Sequence, residues 1–326
     1  MFRLLPILQR SSVRLLSAAA PASAPASKKE ALQKLRKRTG YSYTNIRKAV
    51  DKFGADDLES AEKWLRKLAV QEGWAKAEKL GQRVTSQGYV ATVSTGNKAA
   101  VVELNCETDF VARSDVFKGL VQEVSEAVLD AGKSISPPST GFSVNPLDAA
   151  DLTTRQNRSV KEAIAMTVGK LGENITVARA NVLVAPEGVD VFGRSHPRDG
   201  TDKVEMGRYV SVLGIRRAGE NSRFPTDKLA AQLCQHVIGM GPKSLGSAPT
   251  LKGEKKIETK SEETGEKDEL NEFYSGKTTQ IDEDETQLLR QGFMLNPSQT
   301  VHDYIKGHGA EILAFSRIEL GVEETA

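Results

Sequence analysis

Two cysteines and four histidines are all that a chain of 326 residues offers for thiol or imidazole chemistry. A nucleophilic dyad would have to join Cys106 to His196 or His236, the imidazole taking the thiol proton so that the thiolate can attack. Cys106 closes a β-branched run, Val101-Val102-Glu103-Leu104-Asn105, where a cysteine is ordinarily a small packed side chain. Cys106 and Cys234 form neither a C-x-x-C pair nor a Cys/His cluster of zinc spacing, and read as reduced thiols. The chain lacks a G-x-x-x-x-G-K-[ST] loop, G-x-G-x-x-G, H-E-x-x-H and G-x-S-x-G. With the usual nucleotide, zinc-protease and hydrolase signals missing, neither an enzyme nor a resident cofactor or metal is expected.

The segment Asn105-Cys106-Glu107-Thr108-Asp109-Phe110-Val111-Ala112-Arg113 offers a different chemistry, that of contact. It joins a strand to a helix and sets a carboxylate beside a large aromatic in the connection. Such a phenylalanine either folds back into the core or projects as a wedge for a partner's pocket. Local chemistry alone favours the core.

The elements that hold this segment follow from periodicity. GYVATVSTGNKAAVVELN reads as a β-hairpin turning at Thr-Gly-Asn-Lys. After it, Val116, Phe117, Leu120, Val121, Val124 and Val128 share one face of a helix over 114–131, and Pro137-Pro138 marks a loop. Val160, Ile164 and Val168 stripe a further helix that stops at Gly172, followed by a strand over 174–185. A second sheet region is expected over 189–192 and 208–215, with 193–207 as a polar loop. Thr226 is expected to cap a helix bearing Ala230, Leu233, Val237 and Ile238, and the chain should close with a helix over 298–306 and a strand over 311–320. Helices interrupting antiparallel hairpins argue for an α+β core rather than a doubly wound sheet.

Three segments lie outside that core. Residues 1–27 space Arg3, Arg10 and Arg14 among Leu, Ile and Val without one acid, the composition of a mitochondrial transit peptide, which places the mature chain in the matrix. Residues 28–80 read as three short helices, the third with a capping box of Asp56 and Glu59, carrying 14 Lys/Arg against 8 Asp/Glu. A basic surface of this kind is most often a solvated face, and otherwise docks on acidic protein or nucleic acid. Residues 251–285 hold 12 Asp/Glu against 6 Lys with no sustained apolar stripe, and read as an exposed insertion. No stretch approaches the ~20 apolar residues of a membrane span, so no membrane association is expected.

LNCETDFVAR, with LRKRTG before it and KLGENI, FMLNPSQTV and AEILAFSRIELG after it in that order, resembles the elongation factor Ts family in its mitochondrial form. The resemblance covers about residues 30–245 and 290–321. It implies a ubiquitin-associated-like three-helix module (28–80) and a two-part α+β core, 81–185 and 186–326. The activity implied is guanine nucleotide exchange on elongation factor Tu, met both GDP-bound and nucleotide-free, with no direct contact to nucleic acid. In Thr108-Asp109-Phe110-Val111, the Asp-Phe pair corresponds to the one that enters the GTPase domain beside its magnesium and phosphates. Arg36 and Thr39-Gly40 match the docking pattern of the helical module, where Tyr43 and Thr44 replace the paired methionines of bacterial relatives. His196 falls near a histidine of the family's core hairpin, and 251–285 stands where bacterial members carry a coiled-coil hairpin. Two other readings would be an RNA-associated or ubiquitin-like-binding scaffold using the helical module, and the Cys106 enzyme.

Overall fold

The computed structural model describes residues 27–39, 41, 43–219, 224–249 and 284–322. The leader but for Ser27, Gly40, and the acidic segment but for Asp284 and Glu285 lie outside the described residues. The chain divides into two compact units, one ending at Ala69 and one beginning at Val70.

In the first unit, α1 (Lys28–Thr39), α2 (Tyr43–Phe53) and the start of α3 (Leu58–Leu80) pack on one another. Leu32 and Leu35, Ile46, Ala49 and Val50, and Ala61 and Leu65 form one apolar cluster. The cap of α3 differs from the sequence expectation: the Asp57 carboxylate, not that of Asp56, accepts the Ser60 N–H at 3.0 Å. The helix begins at Leu58, which puts Asp57 at the position whose side chain reaches the free amides of the first turn.

The second half of α3 belongs to the second unit. A Cβ on Gly73 would lie 2.2 Å from the Ala165 carbonyl oxygen, so only glycine permits this approach of α3 to α6 (Val160–Leu171). The hairpin forms where the sequence places it: β1 (Gln87–Thr95) and β2 (Lys98–Cys106) pair antiparallel across a turn in which Gly96 has φ +54°. β4 (Ile175–Val184) pairs with the free edge of β2 and β3 (Ser143–Pro146) lies outside it. The other edge of β1 takes β7 (Glu205–Gly207) and then β6 (Asp199–Gly200), giving the order β3-β4-β2-β1-β7-β6. A second, antiparallel sheet runs β11-β8-β5, from Ala310–Glu319, Tyr209–Arg217 and Asp190–His196.

β2 is covered on both faces, and its run Ala99–Val102 is apolar on both. Ala100, Val102, Leu104 and Cys106 join the cluster beneath α5 (Asp115–Ala131) and α6, while Ala99 and Val101 pack with Val191, Val210 and Val212 of the second sheet. α7 (Thr226–Met240) and α8 (Val301–Gly307) cover the second sheet, with Leu229, Leu233, Val237, Val301 and Ile305 buried against Leu213 and Ile215. A two-stranded ribbon, β9 (Gly292–Phe293) and β10 (Asn296–Thr300), leads into α8.

Four local expectations are corrected. Val116, expected on the buried face of α5, is 43% exposed, and that face begins at Phe117. Residues 193–207 are not a loop: β5 continues to His196, and β6 and β7 add to the first sheet. These short strands carry too few alternating residues to show a period of two. Thr226 is the first residue of α7 and not its cap; Pro225 precedes it, and the Thr226 hydroxyl accepts a bond from Arg217. The last helix starts at Val301, capped by Thr300, whose hydroxyl accepts the Asp303 N–H at 3.1 Å.

His236 on α7 is fully buried, its Nε2 3.0 Å from the Gln291 amide oxygen and its Nδ1 accepting the Met294 N–H at 3.1 Å. Those partners require the neutral ring with its proton on Nε2. Burial, opposed by the Gln291 bond, lowers the His236 pKa from its ordinary value, and His308 is lowered by burial and the nearby Arg217. With the folded values lowered, the unfolded chain takes up these protons first as pH falls. The stabilising contribution is therefore complete above the unfolded value of about 6.5 and lost progressively below it. The melting temperature is expected to fall between pH 7.5 and 5.5, and less steeply in His236→Gln; an unchanged slope in that variant would assign the effect elsewhere.

Candidate functional site

The connection between β2 and α5 contains a single helical turn, α4 (Asp109–Ala112), capped by Thr108, whose hydroxyl accepts the Val111 N–H at 3.3 Å. Val111 and Ala112 are buried at 6% and 5% exposure and root the turn in the core. One residue earlier in the same turn the direction reverses: Phe110 is 83% exposed. The local expectation of a core phenylalanine is thus corrected. Val111 and Ala112 take the inward side of the turn, which leaves Asp109 and Phe110 on its outward side. Asp109 is also exposed and pairs with Arg113 at 3.2 Å on the surface.

The turn is braced from two directions. Register places Cys106 of β2 opposite Ile175 of β4, so the residues just beyond each strand meet at one end of the sheet. There the Glu173 carboxylate accepts the Thr108 N–H at 3.0 Å and the Thr108 hydroxyl at 2.7 Å, while the Glu107 carboxylate accepts the Asn174 N–H at 2.7 Å. Glu107 also pairs with Arg83 at 3.3 Å, and the Asn174 side chain donates to the Arg83 carbonyl at 2.8 Å. Gly172, left-handed at φ +80°, ends α6 and turns the chain so that Glu173 faces Thr108.

A second brace joins α5, β1 and β6. Asp199 accepts from the Tyr89 hydroxyl at 2.8 Å and from Lys118 at 2.9 Å, and the Tyr89 ring lies 6.5 Å from that of Phe117. Burial and the hydrogen bond to Asp199 push the Tyr89 phenol up to about 12. Burial of Asp199 is outweighed by the bonds from Lys118, the Gly200 N–H and Tyr89, which together lower its pKa. His196, three residues before Asp199, ends β5 opposite Tyr209 and is exposed; its bond to Pro197 is cis. Beside it, Arg194, Ser195, Arg198, Gln235 and Met294 line a groove of about 430 Å³.

In the first unit, described by itself, Arg36 is exposed on α1 and donates to the Tyr41 carbonyl at 3.3 Å. The Thr39 hydroxyl bonds back to the Leu35 carbonyl at 2.6 Å, and Tyr43 is exposed at the start of α2. Gly40 lies outside the described residues.

Thr108, Asp109, Phe110 and Val111 therefore come together in one turn, with Val111 as its root and not its surface. Glu107, Glu173, Asn174, Tyr89, Lys118 and Asp199 were not singled out from sequence. KLGENI was visible as a motif, but its role depends on strand register, which the residues do not spell out.

The cysteine reading loses its geometry. Cys106 is fully buried, donates to the Thr108 carbonyl at 3.2 Å, and burial with the charge of Glu173 pushes its thiol up to about 12. Cys234 is likewise buried, which pushes its thiol up to about 12. Both ring nitrogens of His236 are engaged elsewhere. Neither thiol is expected to react with a disulfide reagent at pH 8 until the chain is unfolded. Rapid titration of one thiol in the native protein would contradict this placement. Among the described residues no cluster of three potential metal ligands occurs, and no helix is long and apolar enough to cross a membrane.

A braced turn that exposes an aromatic is suited to insertion into another molecule's surface. Comparison with known proteins agrees with the motif order. The family model described as Elongation factor TS matches residues 107–322, and the model described as Elongation factor Ts, mitochondrial, N-terminal matches residues 14–75. The protein named Elongation factor Ts, mitochondrial, of Brugia malayi is 51% identical over 315 residues, covering 96% of this chain and 94% of its own length. Its namesakes in Caenorhabditis elegans and Homo sapiens are 48% and 33% identical, covering 95% and 93% of this chain and 98% and 86% of their own lengths. The chain belongs to the elongation factor Ts family of translation elongation factors, in its mitochondrial branch.

Proposed function

We propose that this protein is the guanine nucleotide exchange factor for mitochondrial elongation factor Tu, acting in the matrix during translation elongation. The observation that carries the reading is Phe110, 83% exposed on a turn whose capping residue, Thr108, is held by Glu173. Phe110 inserts between side chains of the GTPase domain beside its nucleotide site. Asp109, released from its surface pair with Arg113, perturbs the elements that support the partner's magnesium. GDP is held chiefly by charge-assisted contacts to its phosphates and by the ion, so loss of that arrangement speeds release. Thr108 and Val111 hold the turn, His196 lies on a flanking contact, and Arg36, Thr39, Gly40 and Tyr43 belong to the docking surface of a ubiquitin-associated-like module.

The action is a coupling free energy. Nucleotide weakens factor binding by the same factor by which the exchange factor weakens nucleotide binding. No covalent step and no nucleotide site on this chain are needed. Mitochondrial elongation factor Tu loaded with a fluorescent GDP is expected to lose it faster on addition of this protein. A release rate unchanged at saturating factor, with a partner competent to bind GDP, would overturn the proposal.

A further inference from the structure

We infer that Glu173 is a positioning residue for the Phe110 turn, holding it in its binding-competent form before any partner arrives; the inference rests on the contact reading of Phe110. α4 has four residues, too few for intrahelical hydrogen bonds to offset the cost of ordering them. Asp109 and Phe110 point to solvent and contribute little burial, so Val111 and Ala112 alone anchor the turn from within. Ser114 holds the far end of the turn, its hydroxyl donating to the Val111 carbonyl at 2.7 Å, and the side-chain support of the near end converges on Thr108. Its hydroxyl must accept the Val111 N–H, which it does only when its own proton points elsewhere. Glu173 takes that proton at 2.7 Å and the Thr108 N–H at 3.0 Å, so one carboxylate satisfies both donors of the capping residue.

The arrangement is reciprocal. Glu107, the residue before Thr108, takes the N–H of Asn174, the residue after Glu173. Each strand end thus supplies the carboxylate that its neighbour's backbone requires. Bonds to an ionised acceptor are about twice as strong as neutral ones, which makes the pair on Thr108 the strongest local restraint on the turn. Residues 108 and 173 are far apart in the chain, so the restraint exists only after β2 and β4 have paired.

Loss of this restraint does not remove Phe110; it lets the turn populate other conformations. Apparent affinity then falls by the fraction of molecules still competent to bind. The rate at saturation is unaffected, since the bound form makes the same contacts. In Glu173→Gln the amide nitrogen, itself a donor, faces one of the two Thr108 donors.

The full chain, Glu173→Gln, Phe110→Ala and the double variant are compared by GDP release and by the dissociation constant for nucleotide-free elongation factor Tu. Glu173→Gln is expected to raise the midpoint about tenfold and leave the plateau within about twofold. In the Phe110→Ala background the same change should move the dissociation constant less than about twofold, because the ring that anchors the turn is gone and only Asp109 is left for it to position. A wild-type midpoint for Glu173→Gln, a lowered plateau, or an equal shift in both backgrounds would overturn the inference while leaving the exchange function intact. Phe110→Ala exchanging as wild type would instead remove the contact reading and this inference together. Should Glu173→Gln fail to fold, Thr108→Val, which keeps the shape and the backbone N–H but loses the hydroxyl, is expected to show the same midpoint shift and the same dependence on Phe110.

Discussion

Phe110→Ala is expected to lower the saturating rate of GDP release by about thirtyfold or more while moving the melting temperature by no more than about 2 °C. The first figure follows from the proposed role: contacts made preferentially with the opened, nucleotide-free partner act on release itself, an aromatic anchor at an interface is commonly worth 2 kcal/mol or more, and about 1.4 kcal/mol is tenfold. The second follows from its 83% exposure, since surface substitutions generally stay within about 0.5 kcal/mol, or 1–2 °C for a unit of this size. A release titration gives the first and a thermal melt the second. A large fall in melting temperature accompanying lost exchange would place Phe110 in the core and end the contact reading.

Phe117→Ala, seven residues on, should behave in the opposite way. Phe117 is completely buried beneath the first sheet, against the Tyr89 ring and the apolar faces of α5 and β2. Removing its ring leaves a cavity and is expected to cost about 3–5 kcal/mol. At roughly 2–4 °C per kcal/mol this lowers the melting temperature by about 6–20 °C. The variant that remains folded should still reach most of the wild-type plateau, because Thr108, Glu173 and the exposed ring are untouched. Urea unfolding gives the free energy directly, and a midpoint within error of wild type would mean that this face of α5 is not the core. The two substitutions remove the same ring from neighbouring helical turns, so their contrast separates insertion from packing without any change in chemistry.

The sequence by itself determined the elements whose burial is periodic. The hairpin at Gly96, the faces of α5 and α6, the stop at Gly172 and the double-sided apolar run of β2 each follow from a local rule. A period of 3.6 or 2, a left-handed glycine or a β-branched run needs only its own neighbours. Family membership was legible for a similar reason, through short motifs in fixed order. What the sequence did not contain is the outcome of competition between distant segments. Whether Phe110 turns inward depends on Val111 reaching the core first. β6 and β7 exist because β1 offers them an edge. Glu173 faces Thr108 because Cys106 pairs with Ile175 and not with a residue one place along. A shift of one residue in that pairing would invert every side chain of the strand. Such a register is set by the summed packing of the sheet, which no single segment encodes, and the brace on the exposed turn is therefore a property of the tertiary structure alone.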